Sequence, residues 1–176
     1  MISFLRRLGR DRRGVSAVEF ALIAPAMIAF YFGLAEITQA LLAERRTGHA
    51  ASAIGDLVAQ SSSVSGTDVT DIFKIAQTIM KPYPTAPLKM RVSSLTNTSG
   101  TTKVDWSSAD GMTAFQPNAV IAGVPAGVMA SGQSVIMSEV TYSYNSPVDF
   151  FMPNAVTFSR KFYLRPRKSD KVLKTS

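Results

Sequence analysis

Phe20 to Ala35 is a run of sixteen residues without a formal charge, and widening it to Val15–Ala43 adds only two acids, Glu19 and Glu36. A bilayer crossing needs roughly 20 mostly apolar residues. The run meets that length only if Glu19 or Glu36 lies near an interface or finds a partner, because an acid at mid-span costs about 2.5–3.5 kcal/mol. A basic cluster, Arg6, Arg7, Arg10, Arg12 and Arg13, precedes the run at short range. The positive-inside tendency then keeps the N-terminus in the cytoplasm and sends the chain beyond about residue 40 across the membrane. Arg45 and Arg46 oppose this from the far side, two cations against five. A competing reading is a secretory signal cut near Thr38-Gln39-Ala40. The run is longer than an ordinary signal core and is followed by more helix, which argues against it.

Past the apolar run, Ala50, Ile54, Leu57, Val58 and Ser61 keep helical spacing. One continuous helix over 15–60 is therefore expected, about 69 Å long at ~1.5 Å per residue, half in lipid and half a stem. Pro25 removes a backbone donor inside the first half and is expected to kink the helix there. Gly33, Gly48 and Gly55 weaken the helix in isolation but allow close approach of a packing partner.

The net charge of +7 invites a nucleic-acid reading, but +4 sits in residues 1–14 and +4 in residues 165–176, leaving −1 for the middle. A nucleic-acid groove needs cations spread over a folded face, so this distribution excludes that class of partner. With no cysteine, a disulfide framework and a thiolate site are both impossible, and a folded domain must depend on its core.

Gly14, then Val15-Ser16-Ala17-Val18, then Glu19 and the apolar run resembles the processing site of type IV pilin-like proteins. With Arg12-Arg13 before it and Pro25 after, it is similar in particular to the TadE-like minor pilins (pseudopilins) of the tight-adherence pilus system. Glu139 to Tyr144 and Phe162 to Arg167 resemble the last strands of such domains. The resemblance implies cleavage after Gly14 by a prepilin peptidase, leaving 162 of the 176 residues and a new ammonium at Val15. It further implies that Glu19, as fifth mature residue, docks against the Val15 amine of an adjacent subunit. The competing reading leaves Glu19 hydrated at the cytoplasmic interface of an uncleaved single-span anchor that carries a periplasmic binding module. The implied partners are the peptidase, other Tad pilins and pseudopilins, the assembly platform and inner-membrane lipid. The implied location is the bacterial inner membrane, single-pass with the C-terminal domain periplasmic, and then the extracellular pilus.

Ser61 to Thr67 is a polar break, after which Asp68 is expected to cap a second helix with Val69, Ile72, Phe73, Ala76, Ile79 and Met80 on its apolar face. Pro82, Pro84 and Pro87 end it. Alternation then predicts strands: Leu88, Met90 and Val92 on one face of a half-solvated strand, a hairpin partner over 102–106, and two longer strands over 134–144 and 155–164. Arg160 falls on the apolar face of the last, which calls for a sheet edge or an acid partner. The expected fold is thus α+β: a long transmembrane and stem helix, then a small domain with a second helix on an antiparallel sheet of about four strands. The segments are a leader over 1–14, the helix over 15–60, the domain over 61–164 and a flexible basic tail over 165–176.

Residues 107–133, rich in Gly and Pro, read as an irregular excursion, either a site of subunit-specific contacts or a tolerated insertion. Phe150-Phe151-Met152 either plugs the domain or forms an exposed patch. His49 is the single histidine and reads as an exposed stem residue. No nucleophile elbow, phosphate loop or calcium loop occurs, Asp105 and Asp110 lack a ligand pattern, and Trp106 reads as core or strand surface. The sequence therefore predicts no enzyme, no metal, no cofactor and no small-molecule substrate.

Overall fold

In a computed structural model of the chain, residues 14–125, 127–149 and 151–175 are described. Helix α1 spans Val15–Ala59 and strand β1 spans Ser63–Val64. Helix α2 follows over Gly66–Met80, then β2 (Leu88–Thr98), β3 (Thr101–Asp110), β4 (Ser134–Tyr144), β5 (Val156–Leu164) and β6 (Leu173–Lys174). This is the α+β arrangement expected, with four strands in the main sheet.

Helix α1, about 67 Å long at ~1.5 Å per residue, continues through Pro25. Its apolar composition carries it past the proline, because only the carbonyl one turn earlier loses its donor. Helix α2 starts on a capping box. The Ser65 hydroxyl accepts the Asp68 N–H at 3.1 Å, and the Asp68 carboxylate accepts the Ser65 N–H at 2.8 Å. Asp68 is therefore not the cap expected from sequence; Ser65 is, and Asp68 closes the box three residues later. These bonds hold the Asp68 carboxyl below the usual carboxylate range.

The main sheet has the order β3-β2-β4-β5, all antiparallel, with the β2–β3 hairpin closing across Asn97 to Gly100. Side chains alternate, so Leu88, Met90 and Val92 of β2 and Ile136, Val140 and Tyr142 of β4 face the helices, where they meet Ala50, Ile54, Val58, Phe73, Ala76 and Met80. The opposite face is not solvated as the alternation suggested. Leu95, Val104, Val135 and Met137 form a second buried cluster under Phe115, Ile121, Val124, Val128 and Met129. The 107–133 segment thus contributes the end of β3 and then lies as an irregular lid on the sheet. Its apolar residues lack a period because no regular element presents them.

Arg91, Glu139 and Lys161 stand opposite one another on β2, β4 and β5 on this covered face. Glu139 is buried and pairs with both cations, receiving the Lys161 ammonium at 2.6 Å, while the Arg91 guanidinium also lies 3.6 Å from the Phe115 ring. Two cations and a cation–π contact offset the desolvation of that acid.

The basic C-terminal stretch is folded, contrary to the flexible tail expected from its charge. Strand β6 pairs in parallel with β1, Val172 is fully buried, and its carbonyl accepts the Trp106 indole N–H at 2.8 Å. The Arg167 backbone N–H caps the Ala59 carbonyl at the end of α1, and its side chain pairs with Asp56. Charge at 165–174 therefore reports the solvated side of a segment whose apolar residue completes the core.

Candidate functional site

The N-terminal stretch of α1 stands clear of the domain. Gly14 is the residue before the helix, with φ −86° and ψ −10° and no side-chain cap, and a Cβ built there would meet nothing within 4 Å. The fold gives no conformational or packing reason for a glycine at that position. Val15 opens the helix and is 48% exposed; Glu19, one turn later on the same face and about 6 Å along the axis, is exposed too. Among the described residues, none bonds to Glu19. Phe20, Leu22, Ile23, Met27, Ile28, Phe30 and Tyr31 are all exposed, and eighteen residues from Val15 to Phe32 cover about 27 Å. That matches a hydrocarbon core of roughly 30 Å. The basic cluster Arg6, Arg7, Arg10, Arg12 and Arg13 lies outside the described residues.

From Gly33 onward the helix has a seat. Gly33, Glu36, Ala40, Ala43, Thr47, Ala50 and Ala51 are buried, a stripe of small residues at alternating steps of three and four that continues to Ile54, Gly55 and Val58. At Gly33 an added Cβ would lie 2.8 Å from the Phe151 ring, and at Gly55 2.5 Å from Leu164 Cδ1 and 2.9 Å from Ser138 Oγ. Ser138 Oγ also donates to the Ala51 carbonyl at 2.7 Å, so β4 touches the helix backbone there. Gly48, by contrast, has its nearest neighbour, Arg160 Cγ, at 3.9 Å. Two of the three helix glycines are therefore contact surfaces toward the chain's own domain, Gly33 against the β4–β5 connection and Gly55 against the sheet.

Polar pairs pin the seat along its length. Glu44 binds Arg160, which explains the cation on the apolar face of β5 at the sheet edge. Arg46 donates to the carbonyls of Ile79 and Lys81 at the end of α2, and Tyr83 Oη donates to the Gln39 carbonyl at 3.0 Å. Tyr83, Tyr142 and Tyr144 meet edge to face beside Pro82, Pro84 and Pro87 in a cleft of about 300 Å³. Burial pushes all three phenols above the usual tyrosine range.

Sequence reasoning missed the difference between the two acids of the apolar helix. Glu36 is 1% exposed, and its carboxylate accepts the Ser146 hydroxyl and the Phe151 N–H, each at 2.7 Å, from the β4–β5 connection. Glu36 is thus a structural anchor shielded by the domain, and Glu19 is the acid presented outward. The three-four spacing of Gly33, Glu36, Ala40 and Ala43 places Glu36 in the packed stripe, but the same steps continued backwards reach Glu19, so spacing alone does not separate the two acids. The domain's seat begins only at Gly33, and Glu19 lies below it. His49 is exposed, Trp106 is core, and Asp105 accepts hydrogen bonds from Ser94 and Thr96. Among the described residues no three metal-ligating side chains gather.

Compared with known proteins, residues 14–55 match the family model described as TadE-like protein. The match begins at the glycine before α1 and ends at the glycine beneath Leu164, so it covers all but the last four residues of that helix, and α2 and every strand lie outside it. No curated protein and no solved structure matches the chain.

Proposed function

Taking the chain as a TadE-like, Tad-pilus-related protein anchored by its N-terminal apolar helix, we propose that it is a minor pilin-like subunit of the tight-adherence pilus, cut after Gly14 by a prepilin peptidase. It waits in the inner membrane with its domain in the periplasm, enters the filament or its assembly platform beside other Tad pilins and pseudopilins, and acts in pilus assembly and surface adhesion. The observation that carries this reading is the junction at Gly14. A glycine that the fold does not need stands directly before a helix whose first turns are bare of domain contacts.

Cleavage there discards a leader of charge +4 and creates an ammonium at Val15. Glu19 is exposed one turn away and lies below the seat that begins at Gly33. A carboxylate at the edge of lipid is costly alone and is stabilised by an opposite charge, which the Val15 ammonium of an adjacent subunit supplies as helices pack side by side. The leader arginines hold the cytoplasmic end until that cut. A TadE-like helix of this kind is a structural element and points away from catalysis.

The test is the intact mass and N-terminal sequence of the protein purified from native membranes. A chain beginning at Val15 supports the proposal. An intact Met1, or an N-terminus near Leu41, refutes it. Glu19→Ala then separates docking from anchoring: membrane insertion retained with piliation lost is the expected result, and unchanged piliation favours the uncleaved anchor with a periplasmic binding module.

A further inference from the structure

We propose that the β4–β5 connection is a second membrane contact, in which Val148 and Phe151 enter the outer boundary between headgroups and acyl chains of the bilayer that α1 crosses. The inference rests on α1 being a span, and on nothing about pili. Strand β4 runs back along the helix, from Ser138 at the level of Ala51 to Ser146 at Glu36. The connection that follows is therefore the part of the domain nearest the apolar helix end.

Its height follows from the helical rise. With Val15 at the cytoplasmic edge of the hydrocarbon, Gly33 lies about 27 Å higher and Glu36 about 31 Å higher, at the far edge of a core roughly 30 Å thick. Phe151 packs one side of its ring on Gly33 and leaves 54% of its surface exposed, and Val148 is 47% exposed. Phe30, Tyr31 and Phe32 are exposed on the helix just below, so aromatic groups collect at the level where they favour a membrane interface. Asp149, also exposed, sets the depth: its carboxylate keeps this tip among the headgroups and out of the acyl core.

The same geometry answers how Glu36 tolerates that level. Its oxygens are bonded to Ser146 and to the Phe151 backbone, and the connection stands between the acid and lipid. The apolar side chains thus face outward because the polar groups of the connection turn inward to the carboxylate. An aqueous surface gives no return for exposing Val148 and Phe151 together, whereas a bilayer edge stabilises both.

The chain has no cysteine, so single cysteines can be introduced without a background. Leu22→Cys, Val148→Cys, Phe151→Cys and Val120→Cys, each in the full chain, are labelled with a nitroxide and reconstituted into phosphatidylethanolamine–phosphatidylglycerol vesicles. Val120 bridges Lys103 at the opposite end of the sheet and serves as the aqueous reference. Collision with oxygen, which concentrates in lipid, is compared with collision with a water-soluble nickel chelate. The expected result is a several-fold lower nickel accessibility at 148 and 151 than at 120, with Leu22→Cys deeper still. It is Phe151 that packs on Gly33, so the Val148 variant reads out lipid contact even if the Phe151 change loosens the seat. Labels at 148 and 151 that are as open to nickel as the label at 120, with Leu22→Cys shielded, overturn this proposal alone. A nickel-accessible Leu22→Cys overturns the span and this proposal with it.

Discussion

Adding one methyl group at Gly48 or at Gly55 should have opposite effects, although both glycines sit in the same helix seven residues apart. In a helix interior Gly→Ala stabilises by about 1 kcal/mol. At Gly48 the nearest atom to the new methyl is Arg160 Cγ at 3.9 Å, ordinary contact, so the full gain is expected. At Gly55 the methyl would fall 2.5 Å from Leu164 Cδ1 and 2.9 Å from Ser138 Oγ. Leu164 can turn aside, but Ser138 is held by its bond to the Ala51 carbonyl, so the helix must lift from β4. Overpacking of this kind costs about 1–3 kcal/mol, and losing the Ser138 bond about 1 kcal/mol more. The net for Gly55→Ala is a loss of about 1–3 kcal/mol. At about 4 °C per kcal/mol, Gly48→Ala should raise the thermal midpoint by about 4 °C and Gly55→Ala should lower it by about 4–12 °C. Trp106 is the single tryptophan, is buried and is bonded to the Val172 carbonyl, so its fluorescence in the detergent-solubilised full chain reports unfolding of the domain. Midpoints that rise together in both variants would refute the close approach of β4 to the helix at Gly55.

Three further outcomes are expected. Deleting residues 165–176 should destabilise the domain by roughly 2–4 kcal/mol, because it removes buried Val172 and orphans the Trp106 N–H; an unchanged denaturant midpoint would return these residues to a flexible tail. Glu36→Ala should free the β4–β5 connection, seen as faster hydrogen exchange at the Phe151 amide, at a cost of about 2–4 kcal/mol for two lost carboxylate bonds, with Glu36→Gln milder. Because the folded Asp68 carboxyl is held below its unfolded value, its contribution is present above about pH 4 and is lost as pH falls through the lower folded value. Exchange protection at the start of α2 should fall over that acid range in the natural chain and show no such acid-dependent loss in Asp68→Asn.

Much of the architecture was legible because its signals are periodic and local. The apolar run, the two-residue alternation of Leu88, Met90 and Val92, and the turn at Asn97 to Gly100 each report a backbone geometry that needs no distant partner. Residues 134–144 and 155–164 could be read as strands for the same reason. Where local readings failed, a distant contact had intervened. The 111–133 lid has no period because it is shaped by the face it covers, and the C-terminal segment is solvated along most of its length, so only Val172 reveals that it is held.

The candidate site divides in the same way. That a glycine precedes an acid by five positions at the head of an apolar helix is a property of the chain itself, as is the basic leader before it. Sequence alone also established that the helix is long enough for both a span and a stem. It treated Glu19 and Glu36 alike, as two acids at the margins of one apolar run. Tertiary structure separated them: the sheet covers the face that begins at Gly33, so Glu36 loses water and gains the Ser146 hydroxyl and Phe151 amide, while Glu19 lies below the domain and remains exposed. Burial is a sum over neighbours distant in the chain, and for that reason the spacing that places Glu36 in the stripe could be seen in sequence while its consequence could not.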